Sequence, residues 1–210
     1  MLMHVARMAG ILALLWSVPG YGQSTQMPIG DWITALRGGG HVIVIRHGAT
    51  RTDQADTNPL NLKDVSHQRQ LTDDGRAQAR AIGEAMRKLK IPVGQVHTSM
   101  FQRAIETATL LGFGEATETA DISEGGLVVT TLENNRRAQA LRKLAATAPP
   151  AGTNVVLVTH RPNLMDAFGK DWFDVREGEA SIFKPDGAGG FALVARVPAA
   201  EWTKFAQTVN

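Results

Sequence analysis

The chain has 210 residues, enough for one α/β domain with a sizeable core. It contains no cysteine, which excludes disulfides, a cysteine nucleophile and a cysteine-based metal site. Its formal net charge of +2 is too small to point to nucleic acid or a membrane surface as a partner.

The N-terminus has the pattern of a secretory signal peptide. Arg7 gives a positive start, Met8 to Val18 form an apolar core, and Gly20 and Gly22 are small residues that suit cleavage. The core is too short for a spanning helix, and the competing reading is an uncleaved anchor. The expected boundaries are 1–22 for the signal peptide, 23–40 for a lead-in with a short helix, and 41–210 for the main domain. The cut is expected near Gly22–Gln23. It removes one arginine and no acid, so the net charge falls from +2 to +1. The mature chain is then expected to be periplasmic or secreted, without membrane association.

Asp31 to Leu36 reads as a short helix with Trp32, Ile33 and Leu36 on one face, ended by Gly38, Gly39 and Gly40. Val42 to Ile45 is an unbroken β-branched run between glycines, the pattern of a strand buried on both faces of a parallel sheet. It stops at Arg46, His47 and Gly48. In open α/β sheets ligands bind outside the carboxyl ends of strands, so Arg46 and His47 stand where chemistry is placed. Residues 49–70 form a long polar segment, expected to make one wall of the pocket.

Thr72 suits the N-cap of a helix running to about Lys90, with Asp73 and Asp74 at its positive end. Gln95 to Ser99 reads as a strand and Phe101 to Leu111 as a second helix carrying Arg103 and Glu106. Residues 112–132 are irregular, with a candidate strand at Leu127-Val128-Val129. Glu133 to Ala146 is a third helix, ended by Pro149 and Pro150.

Asn154 to Thr159 repeats the earlier pattern, a buried strand delivering His160. Two such strands could bring His47 and His160 into one pocket. Arg161 points away from His160 if the strand persists. Pro162 suits the start of a helix to about Phe168. Ser181 to Phe183 and Gly190 to Arg196 read as a hairpin around Pro185-Asp186-Gly187, and a short helix near 199–207 closes the chain. Alternating strands and helices make this one α/β domain with a mainly parallel sheet.

Four blocks in order resemble the histidine phosphatase superfamily, also called phosphoglycerate-mutase-like. They are Arg46-His47-Gly48, the helix start Leu71-Thr72-x-x-Gly75-x-x-Gln78-Ala79, then Ser99-x-x-x-Arg103-Ala104-x-Glu106-Thr107-Ala108, and Thr159-His160. The resemblance covers roughly residues 40–200 and is to branch 1 of the superfamily. It implies a three-layer sandwich with a mainly parallel central sheet. It also implies a small phosphorylated substrate, no cofactor and no metal, and a phosphohistidine intermediate on His47.

The chemistry of these residue types agrees. A phosphoryl group needs fixed donors, and arginine offers a planar fork matching phosphate oxygens, a role suited to Arg46 and Arg103. A neutral imidazole can attack phosphorus, and the resemblance gives that part to His47. His160 would donate as charge shifts in the transition state. Gly48 lets the backbone come near the ligand.

Each residue has a plainer competing role. His47 could simply bond a neighbouring backbone group, and Arg103 could be a surface arginine paired with Glu106. His41, His67 and His97 have no partner pattern and are read as structural or surface. A proton for the leaving alcohol needs a carboxylic acid. Among Glu118, Asp121 and Glu124, the first choice is Glu124, beside Gly125 and Gly126, and the second is Asp121. Both could equally be solvated loop carboxylates.

The third block, Thr159-His160-Arg161-Pro162-Asn163-Leu164, departs from the commoner Gly-His. It is more similar to small phosphatases of phosphohistidine or of lipopolysaccharide sugar phosphates. The expected function is therefore an exported, metal-independent phosphomonoesterase. A phosphohistidine or lipopolysaccharide-heptose phosphatase is the first alternative, and a non-catalytic phosphate-ligand binder the second. The oligomeric state is left open.

Overall fold

The computed structural model describes residues 30–125 and 128–208. The expected signal peptide, its cleavage site, most of the polar lead-in, Gly126 and Leu127 lie outside the described residues. A six-stranded sheet organises the rest, in the order β3-β2-β4-β1-β5-β6. The strands are β1 (Val42–Arg46), β2 (Val93–Ser99), β3 (Thr117–Thr119), β4 (Asn154–Thr159), β5 (Ala180–Pro185) and β6 (Phe191–Val197). The pairings among β3, β2, β4 and β1 are parallel, and β5 and β6 add antiparallel to the β1 edge.

The two central strands show why an unbroken apolar run folds here. Their side chains alternate between faces, and both faces are covered. Ile43, Ile45, Val156 and Val158 join one core with Trp32, Leu36, Ile82, Met86, Ala104 and Trp202. Val42, Val44, Val155 and Leu157 join the other with Leu141, Leu164, Trp172 and Phe183. The first layer holds α1 (Asp31–Arg37), α2 (Asp73–Lys88), α3 (Gln102–Leu111) and α6 (Ala199–Thr208). The second holds α4 (Thr131–Ala146) and α5 (Arg161–Phe168). This is the expected three-layer α/β sandwich.

The local signals act as their chemistry dictates. The Thr72 hydroxyl caps α2 by accepting the Gly75 N–H at 2.9 Å. Asn154 is fully buried yet fully paired: it accepts the His41 N–H and donates to Leu36 O and Pro92 O. It thus joins the end of α1 to the starts of β1 and β2.

Three expectations are corrected. Val128 and Val129 lie in a turn and a bend before α4, whose N-cap is Thr130, so no strand forms there. The missing strand is instead Thr117–Thr119, a short polar edge strand. The strand before His160 does not persist beyond Thr159; Arg161 opens α5 and its guanidinium lies 5.7 Å from the Phe173 ring centre.

One close approach positions the C-terminal end of β1. A Cβ on Gly48 would lie 2.8 Å from Gly75 O, and a Cβ on Gly75 would run into the Ala49 carbonyl. Thr72 N–H also donates to Ala49 O at 2.9 Å. The start of α2 therefore packs directly on the chain leaving His47. Alanine inside a helix normally gains about 1 kcal/mol over glycine. Gly75→Ala is expected to do the opposite and lose about 1–3 kcal/mol through overpacking. Urea midpoints at matched protein concentration measure this, and an unchanged or raised midpoint contradicts the close approach.

Candidate active site

The C-terminal ends of β1, β2 and β4 bring the predicted residues together. His47 is 2% exposed and His160 1%. Their ring centres are 5.1 Å apart. The chain around His47 is pinned from both sides. His47 N–H donates to Thr159 O on β4, Arg46 N–H donates to Glu179 O, and Gly178 N–H reaches the carbonyls of Arg46 and His47. Gly48 N–H donates to the Thr107 hydroxyl of α3 at 3.0 Å.

The tautomer of His47 follows from its partner. Its Nδ1 lies 2.9 Å from Gly48 O, and a carbonyl only accepts. Nδ1 therefore carries the hydrogen and Nε2 keeps a lone pair. Burial pushes the His47 pKa well below its usual value, and the His160 and Arg103 neighbours lower it further. The ring is neutral at pH 7 with Nε2 available as a nucleophile.

His160 is oriented by Ser99. The two meet at 2.6 Å between His160 Nε2 and Ser99 Oγ, while Ser99 Oγ accepts the Phe101 N–H at 3.2 Å. When Ser99 donates its own hydrogen to Nε2, the His160 hydrogen sits on Nδ1. That atom is buried, has no hydrogen-bond partner, and lies 3.7 Å from Glu124 Oε1. Burial, then the charges of Arg103, Arg69 and Arg46, hold the His160 pKa well below normal.

Arg103 is 0% exposed. Its Nη1 donates to Asp56 at 3.0 Å, its Nη2 bonds Glu124, and its guanidinium stacks on Phe101 at 4.5 Å. Glu106, the alternative partner, instead bonds Arg76 at 2.6 Å. Arg46 donates to Val175 O at 2.7 Å and pairs with Glu177 at 3.4 Å. Among the described residues, Nε of Arg46 and Nε of Arg103 are both buried without a partner.

The three acid candidates separate. Glu124 stands between Arg103 and His160. Asp121 bonds Arg136 at 2.6 Å and is half exposed, and Glu118 is exposed on β3. Residues 49–70 do form a wall. Asp56 meets Arg103, and buried Gln68 donates to Leu62 O and accepts the Gln102 N–H at the start of α3. His41 bonds Gly39 O and exposed His67 pairs with Asp64, so neither reaches the site. Asp56 and Glu177 have site contacts that no spacing in the sequence signalled, and Ser99, the first residue of a quoted block, was given no role.

Among the described residues, no three His, Cys, Asp or Glu side chains are placed to hold a metal ion, and no helix is long and apolar enough to cross a membrane. Two imidazoles held neutral by burial stand with two arginines, and three donor atoms of this group, Arg46 Nε, Arg103 Nε and His160 Nδ1, are unpaired among the described residues, a donor set that suits a tetrahedral oxyanion. Residues 42–125 match the model of the histidine phosphatase superfamily (branch 1).

Solved structures share the fold. The protein histidine phosphatase SixA complexed with tungstate is 18% identical, with a TM-score of 0.53 over 76% of this chain and 97% of that one. Phosphoserine phosphatase from Entamoeba histolytica, an H9A mutant with phosphoserine, is 14% identical, with a TM-score of 0.54 over 77% and 98%. YhfR of Bacillus stearothermophilus is 17% identical, with a TM-score of 0.52 over 74% and 95%. A search of curated proteins returned no match.

The depressed histidines set a pH dependence of stability. His41, His47 and His160 all have folded pKa values lowered chiefly by burial. Below about pH 6.5 the unfolded chain takes up protons that the folded chain refuses. Stability is therefore present above that pH and falls as pH drops, by up to about 1.4 kcal/mol per pH unit for each histidine. Denaturant midpoints between pH 7.5 and 5 should fall accordingly, and His160→Gln should make the slope shallower.

Proposed function

We propose that the protein hydrolyses phosphomonoesters through a phosphohistidine on His47. The observation that carries this is the set of buried donors with no protein partner, Arg46 Nε, Arg103 Nε and His160 Nδ1, around an imidazole whose Nε2 lone pair is free. In this reading the arginines hold the phosphoryl oxygens. His47 Nε2 attacks phosphorus and the ester P–O bond breaks. Glu124, displaced from Arg103, takes the proton of the monoanionic ester phosphate and passes it to the departing alkoxide. Water, deprotonated by the same carboxylate, then attacks the phosphohistidine, releasing phosphate and restoring His47. His160 Nδ1–H stabilises the charge that develops on the phosphoryl oxygens.

The positive charge comes from arginines, which supports metal independence. Export is proposed from the signal-like residues 1–22. A mature N-terminus near Gln23, read by sequencing the protein recovered from a bacterial envelope fraction, is the expected outcome.

One observation favours the phosphohistidine alternative. Glu124 is engaged with Arg103 as well as lying near His160, and a phosphoramidate makes less demand on a separate acid. The protein histidine phosphatase among the structural neighbours supports the same alternative.

Hydrolysis of p-nitrophenyl phosphate in EDTA tests the main reading. Activity should survive EDTA and be abolished in His47→Ala; equal activity in that variant rejects the assignment. Glu124→Gln should lower kcat on alkyl phosphates about 100-fold or more. It should have a much smaller effect on phosphohistidine hydrolysis, where less acid assistance is needed.

A further inference from the structure

The loop over the pocket carries an arginine whose type the fold does not explain. Asp56 Oδ1 accepts two donors at 3.0 Å each, Nη1 of the buried Arg103 and the main-chain N–H of Arg69. The Asp56 carboxylate thus fixes position 69 beside the phosphate-binding arginine. It does so through the backbone, which any residue except proline could supply. The Arg69 side chain is not used: among the described residues it makes no ion pair and no hydrogen bond.

That side chain is only half exposed. Its charge is close enough to depress the pKa of both Arg46, the last residue of β1, and His160, which follows the adjacent β4. A partly buried guanidinium beside another cation is unfavourable unless an anion joins them. Asp56 and Glu124 are already committed to Arg103, and Glu177 to Arg46 and to the Thr50 hydroxyl at 2.8 Å.

We propose that Arg69 is a substrate-binding residue, a third arginine of the phosphoryl pocket, seated by the Asp56 link to its backbone. This rests on the phosphatase reading above. The incoming phosphoryl group supplies the anion that the resting site lacks. Arg69 belongs to the loop wall rather than to the strand ends, so it would add a donor from a segment separate from those of Arg46 and His160.

The test compares Arg69→Gln and Arg69→Lys with Arg51→Gln, an exposed arginine of the same loop that pairs with Asp53 outside the site. A charge-assisted hydrogen bond corresponds to roughly a 10- to 100-fold effect. Arg69→Gln should raise KM for p-nitrophenyl phosphate and Ki for inorganic phosphate by about tenfold or more, with kcat changing less. Arg69→Lys should recover part of this, and Arg51→Gln should leave both constants unchanged. KM and Ki within twofold of wild type in a folded Arg69→Gln protein overturn the proposal. A loss equal in Arg69→Gln and Arg51→Gln does the same, because it marks general loop damage. Failure of the phosphatase reading shows separately, as activity unaffected by His47→Ala. In that event, calorimetric titration with inorganic phosphate decides the role of Arg69. Weaker binding by Arg69→Gln than by wild type supports it, and equal binding or none by either rejects it.

Discussion

The site depends on a buried guanidinium. Arg103 is withdrawn completely from water, and a charge in that position is tolerated only when it is paired and hydrogen-bonded. Its two carboxylate partners come from separate segments, Asp56 from the loop after β1 and Glu124 from the stretch after β3. Meeting the needs of one side chain therefore folds two irregular segments onto the sheet edge. The Gln68 bonds to Leu62 and Gln102 repeat this logic with neutral groups. A long polar loop becomes a wall because its buried members are satisfied by the start of α3.

The same burial that demands partners for Arg103 keeps both histidines neutral. Desolvation is the leading cause for each, and the surrounding arginines act in the same direction. Two charged imidazoles with centres 5.1 Å apart would repel each other and the arginines. Neutrality makes each ring both donor and acceptor, so a single neighbouring atom sets its role. Gly48 O frees Nε2 of His47, and Ser99 frees Nδ1–H of His160. Cations collected to hold a phosphate thus also tune the nucleophile.

What could be read from the sequence was whatever local chemistry decides. The unbroken apolar runs at 42–45 and 155–158 require two covered faces, so the sheet centre and the ends carrying His47 and His160 were legible. Thr72, Pro162 and the glycines at 38–40 marked helix ends through capping and backbone preference. The strand Thr117–Thr119 was not legible, because an exposed polar edge strand has no apolar alternation and is held by its register with β2. Val128 and Val129 misled for the converse reason: β-branched residues favour strands only where a neighbouring strand is free to pair. Asp56 and Glu177 escaped notice because each earns its place through one long-range bond, to Arg103 and Arg46. Choosing Glu124 over Asp121 likewise took the fold, which turns one toward Arg103 and the other toward Arg136.

The close spacing of cations and carboxylates keeps the buried charges paired and still leaves donors free. A guanidinium has more donors than two carboxylates use, so Arg103 can keep Asp56 and still present Nε to a ligand. Asp56 is also tied to the Arg69 main chain, so moving it would break two bonds at once. Glu124 has no such second anchor on its carboxylate beyond the 3.7 Å approach to His160. Of the two partners it is the one a phosphoryl oxygen can replace at least cost. In the proposed reaction, displacement from Arg103 would free the carboxylate beside His160 to carry the ester's proton to the leaving oxygen.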